Sequence, residues 1–156
     1  MSTKFNDAEK QLGEFIGKFE LTQQRLIKAV RKELRRRFPS AYELAYDNYN
    51  FFVIGYSPTE RPSDSIVSIA AAANGVGLCF IRGASLPDPK KILLGSGKQT
   101  RFIRLESVGV LKRPEVEALL AAAASNAEVS LESRGHAKLI IRSVSAKQRP
   151  RRKKGA

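Results

Sequence analysis

The chain of 156 residues has the length of one ordinary globular domain, and its hydrophobic content of 42% is that of a soluble globular protein. Its single cysteine, Cys79, excludes an internal disulfide, and its most apolar stretch, residues 66–81, is too short and too interrupted to predict a membrane span. The net charge of +13 at pH 7 favours partners that carry phosphates or other anions.

The first part of the chain predicts two helices. Apolar residues recur at helical spacing within residues 8–19, and a longer helix is predicted from a cap at Thr22 to about Phe38. Pro39 ends this helix, because the residue before a proline avoids the helical region. Cations gather near the end of the longer helix, at Arg31, Lys32, Arg35, Arg36 and Arg37. They either attract anions or complement the helix dipole.

Strands are predicted in the middle of the chain. Residues 51–56 are rich in aromatic and β-branched side chains, and residues 65–72 and 76–82 flank an Asn74-Gly75 pair. Asn-Gly suits a type I′ turn, so the two flanking segments are predicted to form a β-hairpin.

The second half of the chain predicts a mixture of helices and strands. Asp88 and the proline after it predict a short helix to Leu94, and residues 101–106 form a strand. Pro114 opens a helix that ends near Asn126, and residues 138–144 alternate as a last strand. The elements together predict one α+β domain over residues 8–145.

A basic tail, residues 146–156, follows this domain. Its cations are Lys147, Arg149, Arg151, Arg152, Lys153 and Lys154. Because the tail has almost no apolar side chains to bury, we expect it to be disordered when free and dispensable for folding. A cation run without acidic neighbours favours nucleic acid or another polyanion as its partner, and the alternative is a tail that only maintains solubility.

A glycine-containing turn supplies a second candidate site. The candidate anion-binding residues are Gly95, Ser96, Gly97, Lys98 and Arg101. Successive glycines let backbone N–H groups point into one concavity, beside which Lys98 and Arg101 place positive charge. A P-loop is excluded, because Gln99 stands where Ser or Thr is required and a strand follows instead of a helix. The alternative is a purely structural turn.

The tyrosines supply a third candidate site, since all four of them fall within residues 42–56. The candidate ligand-pocket residues are Tyr46, Asp47, Asn48 and Tyr49. Tyrosine rings can line a pocket or stack on bases, whereas the alternative is that they pack across a sheet. We find no catalytic constellation and no metal-ligand spacing, and the only histidine, His136, predicts no ligand set. We therefore expect no cofactor, and an enzyme stays a third alternative that the residues give no reason to prefer.

Several short motifs carry a family resemblance. They are Phe38-Pro39, Tyr46-Asp47-Asn48-Tyr49-Asn50, Ile54-Gly55-Tyr56, Leu86-Pro87-Asp88-Pro89, Leu94-Gly95-Ser96-Gly97-Lys98 and Arg101-Phe102-Ile103-Arg104-Leu105. With the order of elements, they resemble the bacterial YdhG-like family of domains of unknown function, some of which are described as frataxin-like iron chaperones. The resemblance implies a two-layer fold, with helices packed on a mainly antiparallel sheet.

The resemblance and the charge together predict a non-enzymatic binding protein that engages a polyanion, such as nucleic acid, through its basic tail. The alternative is a small-molecule or iron chaperone of the frataxin-like type that uses the tyrosine-rich segment and the turn at residues 95–98. This chain departs from that type, because its long helix is basic where frataxin-type iron binding relies on an acidic one. The N-terminal residues lack the apolar core of a signal peptide, so the expected location is the cytoplasm.

Overall fold

A computed structural model describes residues 3–131 and 138–153, with side chains described from residue 7 onward. Its helices and six-stranded sheet confirm the predicted α+β class. The helices are α1 (Thr3–Ile16), α2 (Leu21–Arg37) and α3 (Pro114–Ser125). The strands are β1 (Tyr42–Asp47), β2 (Phe52–Ser57), β3 (Val67–Ala72), β4 (Gly75–Phe80), β5 (Arg101–Arg104) and β6 (Leu139–Val144). None of the helices described is both long and apolar enough to cross a membrane.

The sheet has the strand order β5-β4-β3-β2-β1-β6. Neighbouring strands are antiparallel except β1 and β6, which are parallel, so the prediction of a mainly antiparallel sheet is confirmed. Val144 at the end of β6 pairs with Asp47 at the end of β1. The chain that leaves β6 therefore emerges beside the turn that joins β1 to β2.

The helices pack on one face of the sheet. The ring of Phe52 lies 6.1 Å from the rings of both Phe15 and Phe19, which belong to α1 and the loop after it. Phe52 pairs with Asp47 across β1 and β2, and Glu43 pairs with Tyr56 further along. Because side chains alternate along a strand, Glu43 and Asp47 both point toward the helices, into an otherwise apolar layer.

The hairpin of β3 and β4 is confirmed, but its predicted turn type is wrong. Ala72 pairs with Gly75, so the turn consists of Ala73 and Asn74. The positive φ of +148° falls on Gly75 and not on Asn74, whereas a type I′ turn needs positive φ at both central residues. The positive φ that favours glycine therefore falls at the first paired position after the turn.

Two predicted helix starts differ from the structure. The Asp88 carboxylate does accept hydrogen bonds from the backbone N–H groups of Ile92 and Leu93, but these close an irregular turn in which Lys91 has a φ of +53°, and no helix follows. Helix α2 begins at Leu21 with Glu20 at its N-cap position, so Thr22 lies inside the helix and does not cap it.

Candidate polyanion-binding surface

The C-terminal segment, which we define as residues 145–153, is bound to the turn between β1 and β2. The backbone N–H of Ser145 donates to the carbonyl of Asp47 at 2.9 Å, and that of Arg149 donates to the carbonyl of Tyr49 at 2.8 Å. The prediction that this stretch is disordered is therefore wrong for residues 146–153. Backbone hydrogen bonds and one buried arginine hold the segment, which is why its lack of apolar side chains misled the sequence argument.

Arg151 anchors the segment in the protein interior. Its side chain is 2% exposed, and its Nη2 lies 2.9 Å from Oδ1 of Asp47, whose side chain is fully buried. The same guanidinium donates to the backbone carbonyls of Asn48 and Asn50, at 2.6 and 3.2 Å. The other Asp47 oxygen accepts from Nζ of Lys18 at 2.7 Å. Both oxygens of the buried carboxylate are thus paired with cations, as a buried charge requires.

Arg151 and Asp47 are therefore committed to each other and not to a ligand. Arg151 is no longer a candidate polyanion-binding residue, and Asp47 is no longer a candidate ligand-pocket residue. Because removal of residues 147–156 would leave the buried Asp47 carboxylate with Lys18 alone, we expect this truncation to destabilise the fold, whereas the sequence predicts a dispensable tail.

The other described cations of the segment are exposed. They are Lys147, Arg149, Arg152 and Lys153. Within the part of the chain that the structure describes, none of the four lies at ion-pair distance from a carboxylate. Lys154, the remaining predicted cation, lies outside the described residues.

Two aromatic side chains lie beside these cations with much of their surface in solvent. Tyr49 is 49% exposed and Phe51 is 48% exposed, both in the turn between β1 and β2. The guanidinium of Arg149 lies 5.5 Å from the centre of the Tyr49 ring, and its Nε donates to Oδ1 of Asn50 at 2.9 Å. These contacts fix where Arg149 presents its charge.

An open groove of about 480 Å³ lies between the C-terminal segment and the β3–β4 turn. We call it the Phe51 groove, and the residues that matter for its chemistry are Phe51, Ala72, Ala73, Arg149, Arg152 and Lys153. Among the described residues, small side chains, one aromatic residue and three cations line it, and none of these lining residues is acidic. This part of the surface therefore combines positive charge with an accessible ring.

The four residues of the predicted ligand pocket do not meet in one cavity. Asp47 points toward the helices, and Tyr46, its neighbour in β1, points to the opposite face of the sheet. Burial raises the pKa of the Tyr46 phenol, an effect that Arg142 partly opposes. Asn48 accepts a hydrogen bond from Ser143 through its side chain, whereas Tyr49 belongs to the exposed surface beside Arg149.

The predicted anion-binding turn is exposed, and its geometry gives Arg101 an internal role. One guanidinium nitrogen of Arg101 donates to the carbonyls of Gly97 and Thr100, at 2.6 and 2.8 Å. Of the two glycines in the turn, Gly95 has a positive φ, +117°, and Gly97 does not. Arg101, the cation expected to bind an anion, is thus hydrogen-bonded to carbonyl oxygens of the turn itself. An anion site here stays a prediction.

The cation cluster of α2 forms a second basic groove, but part of its charge is internally compensated. Arg31 donates two hydrogen bonds to the buried Glu43 carboxylate, both at 2.9 Å, and two more to Glu9. The hydrogen bonds from Arg31 lower the pKa of Glu9. Lys28 and Lys32 on the same helix remain exposed. Arg31 therefore fits neither sequence alternative, because it pairs with carboxylates of the protein itself, and only Arg35, Arg36 and Arg37 lie in the last turn of α2.

Glu43 also binds Tyr56 in the core. The Tyr56 hydroxyl donates to Oε2 of Glu43 at 2.8 Å, and both residues are almost fully buried. Burial, reinforced by the adjacent Glu43 carboxylate, holds the pKa of Tyr56 well above its ordinary value. This network is closed to solvent and supports the fold, so it offers no ligand site.

The described residues contain no group of three or more His, Cys, Asp or Glu side chains that could hold a metal ion. His136 lies outside the described residues. Comparison of the chain with protein-family models, with curated proteins and with solved structures finds no match. The resemblance to the YdhG-like family therefore stays a prediction, and the functional argument rests on the surface around the C-terminal segment.

Proposed function

We propose that this protein binds nucleic acid through the C-terminal segment and the adjoining Phe51 groove, without catalysing a reaction. The observation that carries the proposal is that Arg149, Arg152 and Lys153 line the same groove as the half-exposed Phe51. Each such cation can replace a counterion condensed on the phosphate backbone, which is the main source of affinity for nucleic acids.

The anchor at Arg151 supports this function physically. A disordered basic tail must lose conformational freedom when it binds, and that loss weakens its affinity. Here hydrogen bonds to Asp47 and Tyr49 already hold the backbone of the segment in the unbound protein. The cations are therefore presented at lower entropic cost than in the tail that the sequence predicted.

The chaperone alternative has less support from the geometry. Iron binding would need clustered carboxylates or imidazoles, whereas the Asp47 carboxylate is occupied on both oxygens by Lys18 and Arg151. The frataxin-like form of the fold and kinship with the YdhG-like family remain part of the proposal, supported by the motifs in the sequence and by the α+β class.

The proposal predicts a salt-dependent affinity that depends on these three cations. We would replace Arg149, Arg152 and Lys153 together with glutamine, which spares the buried Arg151. Oligonucleotide binding would be measured by fluorescence anisotropy from about 25 to about 200 mM salt, a range over which the Debye length falls roughly threefold. The slope of log K against log salt concentration is expected to become less steep by about 2 on single strands, because three phosphate contacts are lost.

A matched variant removes three charges from α2 instead, by replacing Lys28, Lys32 and Arg36 with glutamine. It has the same net charge as the first variant, so it separates a local surface from the general positive field. It is expected to change the salt slope much less. An equal or larger loss in the α2 variant, or an absence of binding by the full chain at low salt, would contradict the proposal.

A further inference from the structure

We infer that the Phe51 groove takes single-stranded nucleic acid in preference to a duplex, with one base stacked on the Phe51 ring and the flanking phosphates on Arg149, Arg152 and Lys153. The inference rests on the proposed function and names its ligand class. It depends on three properties of the groove: the exposed ring, the charge around it and its size.

The exposure of Phe51 is the first property. Its neighbour Phe52 is fully buried between α1 and the sheet, whereas about half of the Phe51 surface is in solvent. An accessible ring in a cationic groove is the feature by which single-strand binders hold unpaired bases, since every base has a face that can stack. In a duplex the bases are stacked on each other, and their faces are not available to Phe51.

The charge of the groove is the second property, and it favours an anionic ligand. Of the described residues that line it, three are cations and none is an acid, so an acidic backbone that carries aromatic groups complements it in both charge and chemistry. An apolar peptide would leave these cations without partners, and a free phosphate would leave the ring uncovered.

The size and floor of the groove fit a base. Its volume of about 480 Å³ lies within the range, roughly 300–1,000 Å³, of pockets that hold small organic ligands. Ala72 and Ala73, which line the groove with Phe51, contribute only methyl side chains. Of the described residues that line the groove, only Asn50 and Asn74 carry side-chain amides, which can hydrogen-bond to any base edge, so little sequence preference is expected.

The test compares three probes with the same number of phosphates on the full chain and on Phe51→Ala. The probes are oligo(dT), the same oligonucleotide with abasic sites throughout, and a duplex of half that length. The full chain is expected to bind oligo(dT) more tightly than the abasic strand. Phe51→Ala is expected to lose about 5- to 150-fold on oligo(dT), the effect of one lost stacked base, and to bind the abasic strand unchanged. Phe51→Trp should keep the parent's preference for oligo(dT) over the abasic strand.

Leu94→Ala is the matched control, because Leu94 is 45% exposed and lies beyond β5 at the other edge of the sheet. It should change none of the affinities. Equal affinity of the full chain for oligo(dT) and the abasic strand, with no effect of Phe51→Ala, would overturn base stacking while leaving phosphate binding in place. Failure of the full chain to bind any of the three probes at low salt would overturn both this inference and the proposed function.

Discussion

Replacement of Asp47 with alanine is expected to lower the free energy of unfolding by about 3–5 kcal/mol, the usual effect of removing one partner of a buried ion pair. The Arg151 guanidinium, with its side chain 2% exposed, would remain in the interior without its carboxylate. Urea unfolding followed by circular dichroism measures the change directly.

Lys18→Ala provides the internal comparison, because Lys18 touches the same carboxylate but its side chain is 44% exposed. It should lower stability less than Asp47→Ala does, because Arg151 still compensates the buried carboxylate and the Lys18 ammonium is partly solvated. The Arg151→Ala change should resemble Asp47→Ala, and the double variant should lose much less than the sum of the two. Additive losses would mean that the two side chains do not interact.

The second large effect is expected at Glu43. Glu43→Ala removes the acceptor of Tyr56 and the main partner of Arg31, and it should also lower the free energy of unfolding by about 3–5 kcal/mol. Tyr56→Phe removes a single hydrogen bond to a charged group and leaves the Arg31 pair intact, so about 1–3 kcal/mol is expected. Thermal and urea unfolding of the two variants should rank them in this order.

The pH dependence gives an independent check on this network. The pKa of Tyr56 is raised in the folded protein, so the stability due to its neutral form is complete below the unfolded pKa of about 10 and is lost as pH rises above it. The stability of the parent protein should therefore fall more steeply above pH 10 than that of Tyr56→Phe. Identical pH profiles would show that Tyr56 is not buried against Glu43.

The sequence predicted those elements whose signals are local. The hairpin around Asn74, the helix after Pro114 and the last strand at residues 138–144 all follow from turn residues or side-chain periodicity within a few positions. The helix predicted after Asp88 failed because the same Asp-Pro signal also suits a turn, in which the carboxylate binds backbone N–H groups without a following helix.

The candidate site was only partly predictable. The cations of the C-terminal segment and the tyrosine-rich turn were identified separately, but their proximity depends on β6 pairing parallel to β1, which brings Arg151 to Asp47 across 104 residues. No local pattern distinguishes Arg151, which is buried, from Arg149 and Arg152, which are exposed. The sequence predicts Phe51 as part of a strand, and its exposure becomes evident only when the structure places it in the turn between β1 and β2.

Mapping of the bound surface by NMR tests the central claim most directly. Titration of the labelled full chain with oligo(dT) at low salt should shift the backbone amides of residues 49–51, 72–74, 149 and 151–153 first and most strongly. Amides along the exposed face of α2 and in the turn at residues 95–98 should shift little. Shifts centred on Lys28 and Lys32, or on Gly97 and Lys98, would contradict the account, as would a spectrum that the oligonucleotide leaves unchanged.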